Sequence, residues 1–383
     1  MTAMSGKRVL IVTGQHFAAQ PRKVDLHFMA EALNDMGIPV DFLSLRLSQV
    51  SRFIGDGRWE YARSRRRNQW VSVAPMIDEY IWMNAVHPLN LKKPIANRLS
   101  GLFFRFYGEL LPAAVIARLP SYSHIMVESG IAALLIGKLR RLAPDSRIIY
   151  HAADRLATIG THPVAAEQMA AHAADLDLAH IMAEAIRPDI PPGVPVIHLS
   201  HGISKAIFEQ AGANPYAGPR NAISVGDMLF DAGVIETLAE AYPDWTFHLF
   251  GRLARLSRPM PNVVTHGEVA FERLAAYIRH ADIGLAAYLD KKDADYLSQS
   301  SLKMIQYTFC RLPIVAPAFA AAGRAHVCPY RPGQAETIVK AFAAAIGFDR
   351  TGIDASAVMS WQEKTRKLLA AADKTGAGAV TAA

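Results

Sequence analysis

The sequence predicts an α/β protein made of two Rossmann-like domains with parallel sheets, facing each other across a cleft. Three observations predict it. Strand-like and helix-like runs alternate along the whole chain, the signature of βα units. At 383 residues, 51% hydrophobic and 20% charged, the chain is long for one core and comfortable for two. A loop-like stretch over 203–220, carrying Gly212, Asn214, Pro215, Gly218 and Pro219, interrupts the alternation near its middle.

Taken in order, "KRVLIVTG" (7–14) reads as a buried strand and 24–36 as the helix after it. Strand-like runs follow at 39–45, 78–84 and 123–128, then a helix over 130–141 and a strand over 146–154. Further strand-like runs lie at 176–183 and 194–200, completing an N-terminal domain over 1–205. The second domain, 206–355, restarts with "NAISVGDM" (221–228), a helix near 231–241, "WTFHLFG" (245–251) and "NVVTHGEV" (262–269). It continues with a helix at 271–281, "DIGLAAY" (282–288), one helix opening with "YLSQSSLKMIQY" (296–307), "PIVAPA" (313–318) and a helix at 334–347. Helical periodicity over 360–372 predicts a last helix, within 356–375, packing back on the first domain. The tail "DKTGAGAVTAA" reads as disordered.

Composition excludes several classes. No run nears the roughly 18 apolar residues of a transmembrane helix, and the N-terminus passes into a strand without a signal-like region. Cys310 and Cys328 make no metal or redox spacing and read as core residues in a reducing compartment. The histidines show no ligand spacing; His201, at the domain junction, is the one to watch. The net charge of +7 is uneven, because residues 46–110 hold eleven Arg and Lys against five acids. Phe53, Trp59, Trp70, Trp82, Phe103, Phe104, Phe106 and Tyr107 are interleaved with them. That mixture suits an anionic membrane surface, single-stranded nucleic acid, or a solvated face over an ordinary core.

Ligands of open α/β sheets bind at the carboxyl ends of the strands, which directs attention to the loops. No G-x-G-x-x-G follows the first strand and no P-loop is present, so a dinucleotide or P-loop reading loses support. "YLSQSSLKMIQY" places Ser300 and Ser301 at a helix start with Lys303 in its first turn and Gln306 one turn on. Unpaired amides, the helix dipole and a lysine there favour an anion; a surface helix with a snorkelling lysine is the other reading. In "SVGDMLFD", Gly226 lets a ligand approach the backbone and Met228 offers a surface for a flat base. Glu268, in "THGEVAFERL", stands at a turn able to read a uracil edge, or simply at a strand–helix turn. Asp154, in "YHAADRLATIG", falls at a strand end, where a carboxylate can take a proton from an attacking hydroxyl or cap a helix. Arg155 beside it lowers that basicity unless its guanidinium turns away. "DADY" (293–296) matches a D-x-D metal pattern only weakly.

These stretches, with "LRLSQVSR", "VHPLN", "VESGIA", "HGEV" and "LPIVAP", resemble the GT-B-fold glycosyltransferases, and more closely the GumK-like glucuronosyltransferases of xanthan-type exopolysaccharide assembly. The likeness runs in one order over roughly 8–345. It implies inverting, metal-independent transfer of glucuronic acid from UDP-glucuronate to a mannose of a polyprenyl-diphosphate-linked oligosaccharide, at the cytoplasmic face of the inner membrane. By the resemblance Asp154 is the general base, and Met228, Glu268, Val269, Tyr288, Leu297, Ser301, Leu302, Lys303 and Gln306 are UDP-sugar positions. Lys303 would neutralise the departing diphosphate. No cofactor and no nucleic-acid partner is implied; the partners are the UDP-sugar, the lipid-linked acceptor and an anionic membrane surface. Leu302 and Arg155 depart from the family pattern, and Arg155 becomes a candidate partner for the donor's carboxylate. The E-x7-E pair of retaining relatives is replaced by Ser298 and Gln306. A same-fold enzyme using another UDP-hexose is the nearest rival, and a nucleic-acid-binding protein using Arg65–Arg67 a more distant one.

Overall fold

"KRVLIVTG" becomes β1 (Val9–Thr13), buried at every position, as a strand covered on both faces must be. Around it stand β2 (Val40–Ser48), β3 (Trp70–Ala74), β4 (Ile77–Asn84), β5 (His124–Glu128), β6 (Arg147–Ala152), β7 (Leu178–Ile181) and β8 (Val196–His198). The structure is a computed structural model and describes residues 6–17, 23–52, 57–156, 159–291 and 297–380. The first sheet runs β3-β4-β2-β1-β5-β6-β7-β8; only the β3–β4 pair is antiparallel.

The order reverses between β1 and β5, so the switch point that binds ligands in such sheets lies at Thr13–Gly14 and Glu128. Strand β3 has no counterpart in the sequence reading. It is a half-buried edge strand just after the Arg65–Arg67 run, and its Trp70 gains order from Tyr80 and from the Arg118 guanidinium, 4.3 Å above the ring. Several aromatics of 46–110 turn inward: Trp82 and Tyr107 are buried against each other, while Phe103 and Phe106 face out. Phe53 lies outside the described residues.

The chain divides into two units, Met1–Ser200 with Trp361–Ala383, and His201–Ser360. In the first, the C-terminal helix packs beside the Asp25–Asp35 helix on one face of the sheet: Trp361 stacks on Phe28 at 4.9 Å, and the buried Lys364 ammonium meets Asp25 at 2.9 Å. This helix runs to Val380, which corrects the disordered tail expected from 373 onward. Asp373 pairs with Lys7 and His124, and once that turn is fixed each added residue gains a hydrogen bond at no further nucleation cost.

The second unit holds β9 (Asn221–Val225), β10 (Thr246–Phe250), β11 (Val263–Gly267), β12 (Ile283–Leu285), β13 (Ile314–Pro317) and β14 (Val327–Tyr330). All are parallel, in the order β11-β10-β9-β12-β13-β14, and the switch point falls between β9 and β12. Strand β14 also escaped the sequence reading, since Pro329 is a residue that sheets tolerate only at an edge. The expected single helix after "YLS" is two, Leu297–Ser300 and Leu302–Phe309. Under the second, Tyr307 lies where a side chain on Gly284 would stand, within 2.4 Å of its Cβ position. Its hydroxyl donates to Ile223 O at 3.2 Å and accepts from Val225 N at 3.1 Å. Cys310 and Cys328 are free and buried.

Candidate active site

In the first unit the polar residues gather at the β1/β5 switch point. Thr13 Oγ1 and Gly14 N both donate to Glu128 Oε2, the latter at 2.9 Å. A cavity of about 270 Å³ opens there, lined among others by Gly14, Arg46, His87, Glu128, Ser129 and Asp154. Arg46 sits in an irregularity of β2 between Ser44 and Leu47, with φ of 67°. A left-handed conformation is costly for a residue with a Cβ and is held only where surrounding structure enforces it. Its Cδ passes 3.1 Å from where a Cβ of Gly14 would be, so glycine is what lets the arginine lie across the strand end. His87 Nδ1 is 2.7 Å from Ser48 Oγ.

Asp154 lies just beyond β6, exposed, with its backbone N–H donating to Ser129 Oγ at 3.3 Å. The N-capping alternative fails, because the next helix among the described residues begins at Val164, with Pro163 at its cap. Arg155 has turned away: Nε and an Nη donate to the two oxygens of Asp189 at 2.8 and 2.9 Å. Behind the loop, His151 Nδ1 meets His180 Nδ1 at 2.8 Å, and His180 Nε2 donates to Leu199 O at 2.8 Å. Burial holds His180 neutral, well below the usual histidine range. It therefore carries its proton on Nε2 and accepts at Nδ1 from His151, a fixed relay pinning the end of β6 that carries Asp154.

In the second unit three strand ends form a row, with Gly226 N donating to Phe250 O at 2.7 Å and Gly251 N to Gly267 O at 2.9 Å. Gly226, at φ of 80°, turns the chain outward, and Met228 follows, 54% exposed. Leu229 and Phe230 clasp the end of β12: Leu289 N donates to Leu229 O at 2.7 Å, and Phe230 bridges Tyr288. Tyr288 is buried, and its hydroxyl shares a 2.6 Å hydrogen bond with Ser301. Ser301 caps the Leu302–Phe309 helix by accepting from Met304 N. That cap breaks the expected single helix and gives Lys303 a helix N-terminus of its own.

Lys303 Nζ stands 4.7 Å above the Tyr288 ring and about 4.0 Å from the Cβ position of Gly226. Among the described residues it has no hydrogen-bond partner, although it is buried. Burial lowers its pKa to about 8, with the Asp227 carboxylate opposing the shift. A buried ammonium beside helix amides and a glycine turn is suited to an anion.

The other expected residues are placed less uniformly. Glu268 is exposed just past β11, while Val269 and Leu302 pack half-buried against the core. Gln306 is 95% buried, its exposure only 5%, so a direct role in binding ribose needs it to be uncovered. The side chain of Leu297 and the "DADY" residues lie outside what is described. His201 is half-buried at the start of the second unit. Among the described residues no three His, Cys, Asp or Glu converge as a metal set. Glu128, Arg46, His87 and Asp227 were not singled out in sequence as site residues; for Glu128 and Asp227 the signal available was a polar residue at or just past a strand's carboxyl end.

Residues 11–182 match the family described as glucuronosyltransferase GumK, N-terminal domain. A UDP-glucuronate:glycolipid 2-beta-glucuronosyltransferase of Xanthomonas campestris pv. campestris is 29% identical over 360 residues, 94% of this chain and 88% of that protein. The chain is similar to the GumK-like glucuronosyltransferases over most of its length. Among solved structures, apo OtsA aligns over 96% of this chain and 99% of its own, with a TM-score of 0.62 at 13% identity. A UDP-forming α,α-trehalose-phosphate synthase from Burkholderia xenovorans, in complex with glucose-6-phosphate, aligns over 96% of each chain with a TM-score of 0.58 at 13% identity. At such identity these speak for the fold alone, which is GT-B. No helix among the described residues is long and apolar enough to cross a membrane.

Proposed function

We propose that this chain is an inverting, metal-independent glucuronosyltransferase, moving glucuronic acid from UDP-glucuronate to a mannose of a polyprenyl-diphosphate-linked oligosaccharide. The observation that carries the reading is Lys303: a buried ammonium without an acceptor, set at a capped helix start against the Gly226 turn. It supports a diphosphate seat in which protein charge does what a divalent ion does elsewhere. Met228 supplies an exposed apolar surface for the base, and Glu268 a polar group at the neighbouring strand end.

In this reaction Asp154 accepts the proton of the acceptor hydroxyl as its oxygen attacks the anomeric carbon. The bond from that carbon to the diphosphate oxygen breaks on the opposite face, and its electron pair leaves with UDP. Lys303 stabilises the charge that develops there. The donor assignment rests on the curated relative named above, and another UDP-hexose is the alternative.

A membrane-borne acceptor fits one more feature. The Pro94–Phe104 helix exposes Ile95 (79%), Leu99, Leu102 and Phe103 (76%), followed by Phe106 (67%). Lys92, Lys93, Arg98 and Arg105 flank that stripe. An apolar face at i, i+4, i+7 rimmed by cations suits the surface of an anionic leaflet, the cytoplasmic face of the inner membrane in this reading.

The test is incubation of purified protein with radiolabelled UDP-glucuronate or UDP-glucose and a short-chain lipid-diphosphate oligosaccharide ending in mannose, with and without chelator. Label is expected in the lipid fraction from UDP-glucuronate, undiminished by the chelator. Transfer from UDP-glucose alone, or only with added divalent ion, contradicts the reading.

A further inference from the structure

Glu128 is the carboxylate at the first sheet's switch point, and its position exceeds what tying two strands together requires. Thr13 Oγ1 and Gly14 N fix its Oε2, yet the residue is only half-buried and lines the same cavity as Asp154. Arg46 reaches that cavity through an irregular, left-handed position in β2 and lies across Gly14. An irregularity beside a site commonly re-aims one side chain. It brings a donor-only guanidinium to the strand end that anchors an acceptor-only carboxylate. Sugar hydroxyls both donate and accept, so such a pair satisfies a ring from two sides. The cavity, about 270 Å³, is on the scale of one hexose ring; drug-sized pockets begin at roughly 300 Å³.

We propose that Glu128 and Arg46 form the acceptor-sugar subsite, Glu128 accepting hydrogen bonds from the hydroxyls of the acceptor ring and Arg46 donating to them. The ring is thereby oriented with one hydroxyl toward Asp154. The inference rests on the glycosyl-transfer reading and adds to it the residues that hold the acceptor. Both are positioning residues, since the proton goes to Asp154. The competing explanation is that Glu128 only links β1 to β5.

Glu128→Gln separates the two, because its amide oxygen still accepts from Thr13 and Gly14. With the lipid-diphosphate oligosaccharide above as acceptor, Glu128→Gln and Arg46→Ala are expected to lower acceptor kcat/KM by about tenfold to a hundredfold, chiefly through KM. UDP affinity and the thermal midpoint should match wild type. Among mono-deoxy mannose acceptors, one should lose the difference between wild type and Glu128→Gln, namely the one lacking the bonded hydroxyl. Unchanged acceptor KM in both variants, or a parallel fall in thermal midpoint, overturns the proposal. If wild type transfers nothing, the function above fails by itself. Saturation-transfer NMR with methyl α-mannoside then decides the subsite: signal in wild type and none in Glu128→Gln sustains it, and no difference refutes it.

Discussion

Lys303 holds its ammonium 4.7 Å above the ring of Tyr288, buried and with no hydrogen-bond acceptor among the described residues. The ring's negative face repays only part of the desolvation. The unliganded protein therefore carries a cost that an anion removes. Lys303→Met is expected to weaken UDP binding by about 2–3 kcal/mol, roughly 30-fold to 150-fold. The same change should raise the thermal midpoint of the unliganded protein. Calorimetric titration with UDP and a melting curve measure the two. Unchanged affinity together with a lowered midpoint would show that the lysine supports the fold instead.

Binding should also depend on pH with a definite sign. Lys303 titrates at about 8 in the unliganded protein, and a diphosphate against it raises that value. Below about 8 the ammonium is already charged and this group leaves the affinity flat. Above it, binding takes up a proton and affinity falls by up to about tenfold per pH unit until the raised pKa is passed. For stability the sign reverses. The unfolded chain, with lysine at its ordinary value of 10.5, holds more protons between about 8 and that value. This group's contribution therefore rises with pH across the window. The difference between wild type and Lys303→Met isolates both slopes; an affinity difference independent of pH from 7 to 10 would contradict the assignment.

Asp154 stands on a loop fixed by Ser129 and by the His151–His180 relay, and the next helix among the described residues begins only at Val164. Asp154→Ala is expected to abolish transfer, a loss of about a thousandfold or more, with UDP affinity within a few-fold of wild type. Asp154→Asn should do the same, since it keeps the shape and removes the base. A comparable loss of UDP affinity would reveal a structural role.

What the sequence made legible follows from how local each signal is. β1 and β9 are short apolar runs ending in glycine turns, and Ser301 with Lys303 are neighbours in the chain, so both could be read in place. Thr13 and Glu128 lie 115 positions apart, and only the parallel pairing of β1 with β5 brings them together. Arg46 was hidden differently, because an irregularity within β2 leaves no mark on the alternation of apolar residues. The break between Leu297–Ser300 and Leu302–Phe309 was hidden by serines that suit a helix start as well as its first turn.

Arg155 occupies a position that invited pairing with the donor's carboxylate, but its guanidinium grips Asp189 through two bonds. Arg155→Ala is accordingly expected to leave the preference for UDP-glucuronate over UDP-glucose unchanged. Arg155→Ala and Asp189→Asn should cost similar stability, about 1 kcal/mol for a partly exposed pair, and the double variant little more. Thermal melts of the three proteins and donor competition assays check this. A selective loss of UDP-glucuronate would return Arg155 to the donor.

The exposed stripe on the Pro94–Phe104 helix is the last feature with a measurable consequence. Ile95, Phe103 and Phe106 are more than two-thirds exposed, where a side chain buried against protein would be covered, so replacing them should leave the fold intact. Burying them in a lipid interface contributes about 1.5–3 kcal/mol per large side chain at most, and each nearby Lys or Arg adds about 1 kcal/mol on an anionic leaflet. Ile95→Asp combined with Phe103→Asp is thus expected to lower binding to phosphatidylglycerol-containing vesicles by about a hundredfold. Lys93→Ala with Arg98→Ala should lower it less, and mainly at low salt. Neither pair is expected to alter UDP affinity. Vesicle co-sedimentation across a salt series reads all of this. Binding to neutral and anionic vesicles that the aspartate pair leaves unchanged would place the membrane contact on another face of the molecule.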